Sequence, residues 1–305
     1  MKKFLIAVAA TGMVLAFAPW VLSDFGVSLA MTCLMYSALA VSWSMFSGTT
    51  RYLSLATSAL FGLGTYTTAL AIQSLPWPLL ILAGGMVAAL FALIVGAAVM
   101  HLRGTYFAVL TFGLGELVRH SVTYSEKTFS GTVGRVLTEV PSNEVVYWTV
   151  LVIALLAVVT HRVVAGSRLG FAMRAIGADE QRSSTFGVNP RNVKLIGFAL
   201  SAWFAGAVGA AMAVRWTYID PHSAFNPLIG FQTVLIAMIG GATTLRGPLI
   251  AATGLSLLSD ALRLNLPYAY LILLGVLLIV CVLFLPDGIA SVKWGRLFGK
   301  RKETT

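Results

Sequence analysis

The chain has 305 residues, of which 58% are hydrophobic and 10% charged, and it carries a net charge of +10. An ordinary soluble domain has about 25% charged residues, so this composition excludes one and indicates a chain whose solvent is lipid.

The N-terminus, "MKKFLIAVAATGMVLAFAPW", has two lysines, an apolar stretch and an Ala-x-Ala site at Ala16 to Ala18. That is the pattern of a secretory signal, but Pro19 directly after the site is a poor neighbour for the peptidase. A retained first helix is therefore expected. Apolar segments follow at roughly 4–22, 27–46, 52–72, 79–100, 105–119, 146–163, 193–214, 228–241, 248–263 and 268–285. About 20 apolar residues cross a hydrocarbon core about 30 Å thick, and the segments lack the alternation that spanning strands require. The expected fold class is all-α: a polytopic helical membrane protein of about 8–10 transmembrane segments, one domain over residues 1–305. The short 105–119 run and the 228–241 run, which ends at Gly240-Gly241 and resumes at Gly247-Pro248, are expected to be half-spans or re-entrant pieces lining a cavity.

With the N-terminus in the cytoplasm, sixteen of the 21 Lys and Arg residues fall on the cytoplasmic side, including the basic tail at 293–305. Arg119, Lys127, Arg135, Arg215 and Arg263 fall outside. The positive-inside rule favours this orientation, with both termini cytoplasmic, and explains the basicity without nucleic acid. Trp20, Trp77, Tyr147, Trp148, Trp216, Tyr218, Tyr268 and Tyr270 all fall at outer span ends, as an interfacial belt would.

Few ionisable residues fall within spans. Glu116 with Arg119, and Asp260 with Arg263, lie three apart on shared helix faces. Near outer ends they read as mutually neutralising interfacial pairs, with a pathway or gating role as the alternative. "SLATSALFGLGTYTTALA" (54–71) and "TYFAVLTFGLGELVRH" (105–120) are dense in small residues, which close helix packing explains. From these stretches Gly62, Gly64, Tyr66, Tyr106, Thr111, Gly113, Gly115 and Glu116 are candidate pathway or packing residues; Gln232, Gly240 and Gly241 join them from the broken 228–248 region. Cys33 and Cys281 sit in separate spans and the four histidines are scattered, so neither a metal set nor a disulfide framework is expected. No catalytic constellation is present.

Residues 164–192 are the one sizeable hydrophilic excursion, made basic by Arg168, Arg174, Arg182 and Arg191. Asp179 and Glu180 suit the first turn of a short helix, Gly187 its stop, and Asn189-Pro190 the turn into the next span. A helix of two or three turns is unstable alone, so it needs a support: either lipid phosphates hold a solvated loop, or a cytoplasmic partner docks there. The chain has no Walker-type loop; any ATPase that powers it is a separate subunit.

At these residues the chain resembles the inner-membrane permeases of branched-chain amino acid ABC importers, specifically the M-type subunit of a two-permease pair. The resemblance covers nearly everything after the first span. "LSLATSALFGLGTYTTAL" looks like the family's "LSLGHAAFFGIGAYTAAL", and "LRGTYFAVLTFGLGELVR" like its "LRGxYFAxxTLGFGEIxR". "SRLGFAMRAIGADEQRSSTFGVNPRNVKLIGFALSAWFAGAVGAAMA", "IGGATTLRGPLIAA" and "FLPDGI" match in order. The resemblance implies an ABC-importer permease fold with a cytoplasmic coupling helix, paired with an H-type permease subunit as a heterodimer. It also implies two cytoplasmic ATPase subunits holding ATP and Mg, a periplasmic substrate-binding protein, and no cofactor on this chain. The ATPase-coupling residues it implies are Arg174, Ala178, Asp179, Glu180 and Gly187.

The sequence departs from the family at Gln232, where Glu is common, at Arg246, where Trp is frequent, and at Ser183-Ser184. The first change removes a charge from a possible pathway span. A related permease for urea, short amides or sugars, or an ion-coupled secondary transporter, are the rival functions.

Overall fold

The computed structural model describes residues 2–102, 104–129, 131–137 and 140–265, with isolated positions between 269 and 280. The expected segment at 268–285, Cys281, the "FLPDGI" match and the 293–305 tail lie largely or wholly outside the described residues. Helices α1 (Lys2–Ala16) and α2 (Ala18–Val21) lead into α3 (Asp24–Trp43), which ends in a π-turn at Ser44–Gly48. Then come α4 (Thr57–Ala71), α5 (Trp77–Val99), α6 (Thr105–Phe129) and α7 (Asn143–Ala165). Two shorter helices, α8 (Arg168–Ala178) and α9 (Glu180–Thr185), precede α10 (Pro190–Ala213). The described part closes with α11 (Pro221–Ala224), α12 (Pro227–Gly240) and α13 (Arg246–Asn265). Strands β1 (Arg135–Val136) and β2 (Tyr218–Ile219) pair antiparallel, Arg135 opposite Ile219, and form a small ribbon at the end of the bundle remote from α8 and α9. Among the described residues, six helical stretches are long and apolar enough to cross a membrane, as a polytopic helical permease requires.

The core is the α4–α5–α10 triplet. In lipid, apolar side chains gain nothing by leaving the solvent, so helices associate through close backbone approach and interhelical hydrogen bonds. A Cβ at Gly64 would collide with the carbonyl of Gly206, and one at Gly209 with the carbonyl of Phe61. Gly84 admits Ala210 in the same way. At this contact Thr65 Oγ1 donates to the Gly209 carbonyl and Thr68 Oγ1 to that of Ala210, both at 3.1 Å. Helix α1 is peripheral, held where Tyr147 Oη and Trp148 Nε1 donate to the carbonyls of Leu15 and Ala16.

Two expectations about broken spans come out differently. The 105–119 run belongs to a longer helix: α6 continues to Phe129, 25 residues in all, and is not among the six stretches apolar enough to cross a membrane. The unwound piece lies instead between α3 and α4. The chain turns at Arg51 (φ 59°) and runs back into the bundle without helix, with Tyr52, Ser54 and Ala56 buried. Buried non-helical backbone must find partners within the protein, and it does. Trp43 Nε1 donates to the Ser54 carbonyl at 2.7 Å, Leu55 N donates to Thr111 Oγ1 at 3.0 Å, and Ser54 N donates to Ser47 Oγ at 3.3 Å. The second expected break is present: α12 stops at Gly241 (φ 91°) and α13 restarts at Arg246.

Candidate functional site: the α8–α9 unit and the α6 flank

The polar excursion folds into two helices where one was expected. Ser167 caps α8 by accepting from Gly170 N, and Asp179 Oδ1 caps α9 by accepting from Arg182 N at 3.0 Å. Asp179 also pairs with the Arg182 guanidinium at 3.1 Å. Gly187 (φ 81°) ends the unit and Asn189 caps α10, with Pro190 at its first turn. The sequence signals for α9 were therefore right in position. Helix α8 was not foreseen; it buries Gly170, Met173 and Ile176 against the bundle.

The unit sits tightly on the bundle. A Cβ at Gly177 would collide with the Thr49 carbonyl, and one at Gly170 with that of Val164. Beneath α9, Lys194 of α10 is buried to 1% exposure. Its Nζ donates to Glu180 Oε1 and to the Met100 carbonyl, both at 2.9 Å, and to Tyr52 Oη at 3.3 Å. Tyr52 Oη in turn donates to Glu180 Oε2, and the ammonium lies 4.3 Å from the Tyr52 ring centroid. One ion pair thus joins α9, α10, the end of α5 and the unwound α3–α4 connection.

The five coupling residues implied by resemblance separate here. Glu180 faces inward as an anchor. Asp179 caps α9. Arg174 folds back, its Nη1 donating to the Ala165 carbonyl at 2.9 Å while its guanidinium covers the Phe171 ring at 4.6 Å. Ala178 and Gly187 are exposed. Sequence reasoning missed Lys194 and Tyr52, whose relevance depends on a fold that unwinds the chain after Arg51. It also missed Phe186, an aromatic 85% exposed beside Gly187 at the tip of the unit.

The pathway candidates separate too. Gly62 receives the Phe225 ring and Gly240 the Gly247–Pro248 backbone, so both serve packing. Gln232 is buried, its Nε2 donating to Ser259 Oγ of α13 at 3.1 Å. Thr111 satisfies the unwound segment as described, and Gly115 lies against Ser58 and Ala59 of α4. Tyr66 stacks on Phe225 and donates to Glu126 Oε2 at 3.3 Å; the same oxygen accepts from Gly134 N at 2.9 Å. Tyr106 is exposed and Gly113 faces open space. Glu116 pairs with Arg119 at 2.5 Å. Asp260 lies within electrostatic reach of Arg215 and Cys33, partners from other elements that the sequence spacing did not suggest. Among the described residues, no group of three His, Cys, Asp or Glu is placed to hold a metal.

The sequence that folds into this glycine-welded helical bundle, with a docked polar unit at one end, is matched over residues 25–282 by the family described as branched-chain amino acid transport system / permease component. The chain belongs to that family. Among its relatives, the high-affinity branched-chain amino acid transport system permease protein LivM of Escherichia coli K12 is 28% identical, covering 94% of this chain and 74% of the relative. LivM of Salmonella typhimurium is 27% identical over the same shares. BraD of Pseudomonas aeruginosa, a permease protein of the same description, is 26% identical over 41% of each chain. No solved structure matches. The M-type likeness read from the sequence agrees with LivM, and this permease is a multi-pass membrane transport subunit.

Proposed function

We propose that this permease forms half of the translocation pathway for branched-chain or related small amino acids in a bacterial inner membrane, paired with an H-type permease. Both termini and the α8–α9 unit face the cytoplasm, where two ATPase subunits hold ATP and Mg; a periplasmic binding protein delivers substrate to the opposite face. The chain binds no cofactor of its own. The observation that carries the reading is the match over nearly the whole chain to permeases of this one transport system.

The α8–α9 unit supports the coupling role by its construction. Its inner side is fixed by glycine contacts and the Glu180–Lys194 pair, while its outer side carries exposed Phe171, Phe186 and Arg182. A rigidly held element with an apolar tip passes a partner's displacement to α5 and α10 as a body. The test is reconstitution of the permease pair with the ATPases and binding protein in liposomes. ATP-dependent leucine uptake is expected, and Phe186→Asp should leave the permease folded while uncoupling hydrolysis from uptake. Uptake by this chain alone, or unimpaired coupling in that variant, would refute the assignment.

A further inference from the structure

Glu116 is the twelfth of the 25 residues of α6, so at 1.5 Å per residue it stands about 17 and 20 Å from the two helix ends. α6 runs ten residues beyond Arg119, so the pair stands midway along the helix. A charge facing lipid is costly, which argues for a polar or protein-lined setting. Beside it, Gly115 lies against Ser58, itself next to Gly230 of α12.

The pair is not buried within this subunit. The side chains of Arg119 and Glu116 are 19% and 30% exposed. Thr111, Gly115 and Val118 form the buried stripe of α6, and Glu116 and Arg119 lie to one flank of it. Phe112, one turn before Glu116 on that flank, packs against Phe231 of α12 with ring centroids 5.6 Å apart. The Arg119 Nε–H is shielded from solvent and has no hydrogen-bond acceptor among the described residues. An acid, a guanidinium with a spare donor, and an aromatic pair thus lie together midway along α6.

We infer that this flank is a recognition station for a zwitterionic α-amino acid with an apolar side chain. The inference rests on the permease reading above and specifies its substrate chemistry. The Glu116 carboxylate takes the α-ammonium, the Arg119 guanidinium takes the α-carboxylate, and Phe112 and Phe231 receive the aliphatic side chain. A zwitterion brings one charge of each sign. It exchanges the internal pair for two new pairs, and the site stays neutral whether empty or loaded. A lone cation or anion would leave an unbalanced charge on this flank, and urea or a sugar would break the pair without replacing both partners. The geometry therefore favours amino acids over the uncharged solutes.

The test uses the complete reconstituted transporter, with leucine uptake, ATPase rate and subunit composition measured together. Glu116→Gln and Arg119→Gln are each expected to lower leucine uptake by about tenfold or more, the equivalent of one lost interaction of about 1.4 kcal/mol, with the complex intact and ATPase activity retained. Should either fail to assemble, Glu116→Asp and Arg119→Lys keep the charges and should raise the KM for leucine. Phe112→Ala should weaken leucine more than alanine. Wild-type leucine kinetics in the charge variants would overturn the inference while leaving the permease reading intact. Loss of the second permease from the complex in the conservative variants would also overturn it, by assigning the pair to the subunit interface. A wild-type transporter that moves no amino acid would instead remove the permease reading itself.

Discussion

The Lys194 ammonium lies 2.9 Å from the Glu180 carboxylate, in a position where the lysine is almost wholly out of contact with solvent. Removing one member of such a pair strands the other, which typically costs about 3–5 kcal/mol; removing both is far milder. Glu180 retains some exposure, so the lower end of that range applies. Lys194→Met is expected to lower the thermal midpoint of the purified permease sharply, and Lys194→Met with Glu180→Gln to recover part of the loss. Thermal unfolding of the single and double variants in one detergent measures this. Equal losses in both would show that the contact contributes through packing alone.

Gly64 and Gly113 each belong to an "FGLG" stretch but have opposite surroundings. A methyl group at Gly64 meets the Gly206 backbone, whereas one at Gly113 meets nothing within 4 Å. Gly64→Ala should separate α4 from α10 and destabilise by at least about 1–3 kcal/mol. Gly113→Ala should be neutral or stabilise the subunit by up to about 1 kcal/mol through helix propensity. Expression level and thermal midpoint of the isolated subunit check both; reversed effects would contradict the described packing.

Thr111 supplies the acceptor for Leu55 N in the unwound segment. Thr111→Val keeps the shape and leaves that buried N–H unsatisfied, a loss of about 1–3 kcal/mol, while Thr111→Ser should stay near wild type. Hydrogen–deuterium exchange across residues 52–56 should rise in the valine variant alone. Unchanged protection there would mean that another group satisfies the amide.

Gly187 is a backbone requirement with free space around it (φ 81°, no neighbour within 4 Å of a Cβ). Gly187→Asn should cost little, since Asn tolerates the left-handed region, whereas Gly187→Val should cost about 1–2 kcal/mol. Proteolytic nicking of the loop after Thr185 would report the difference. Equal susceptibility of the two variants would argue that the turn adapts.

Hydropathy and charge placement by themselves determined a polytopic helical membrane protein and singled out residues 164–192, because lipid imposes the same apolar length on every span and the excursion violates it. The caps at Asp179 and Asn189 were legible for a similar reason: a helix start needs a local acceptor, and Asp or Asn before the first turn supplies one. Spacing within a helix also predicted the Glu116–Arg119 pair. The position of that pair midway along its helix was decided only by the structure, since α6 carries Glu126 and Lys127 in its last turns and those charges masked its true length. Tertiary structure likewise decided that Glu180 points inward onto Lys194. These partners lie in different elements, and a charge pair formed across elements leaves no periodic trace in either. The unwound 51–56 segment is the clearest case. Its sequence reads as the start of an apolar span, and only Trp43, Ser47 and Thr111, brought to it by the fold, give its backbone the partners that a helix would have provided internally.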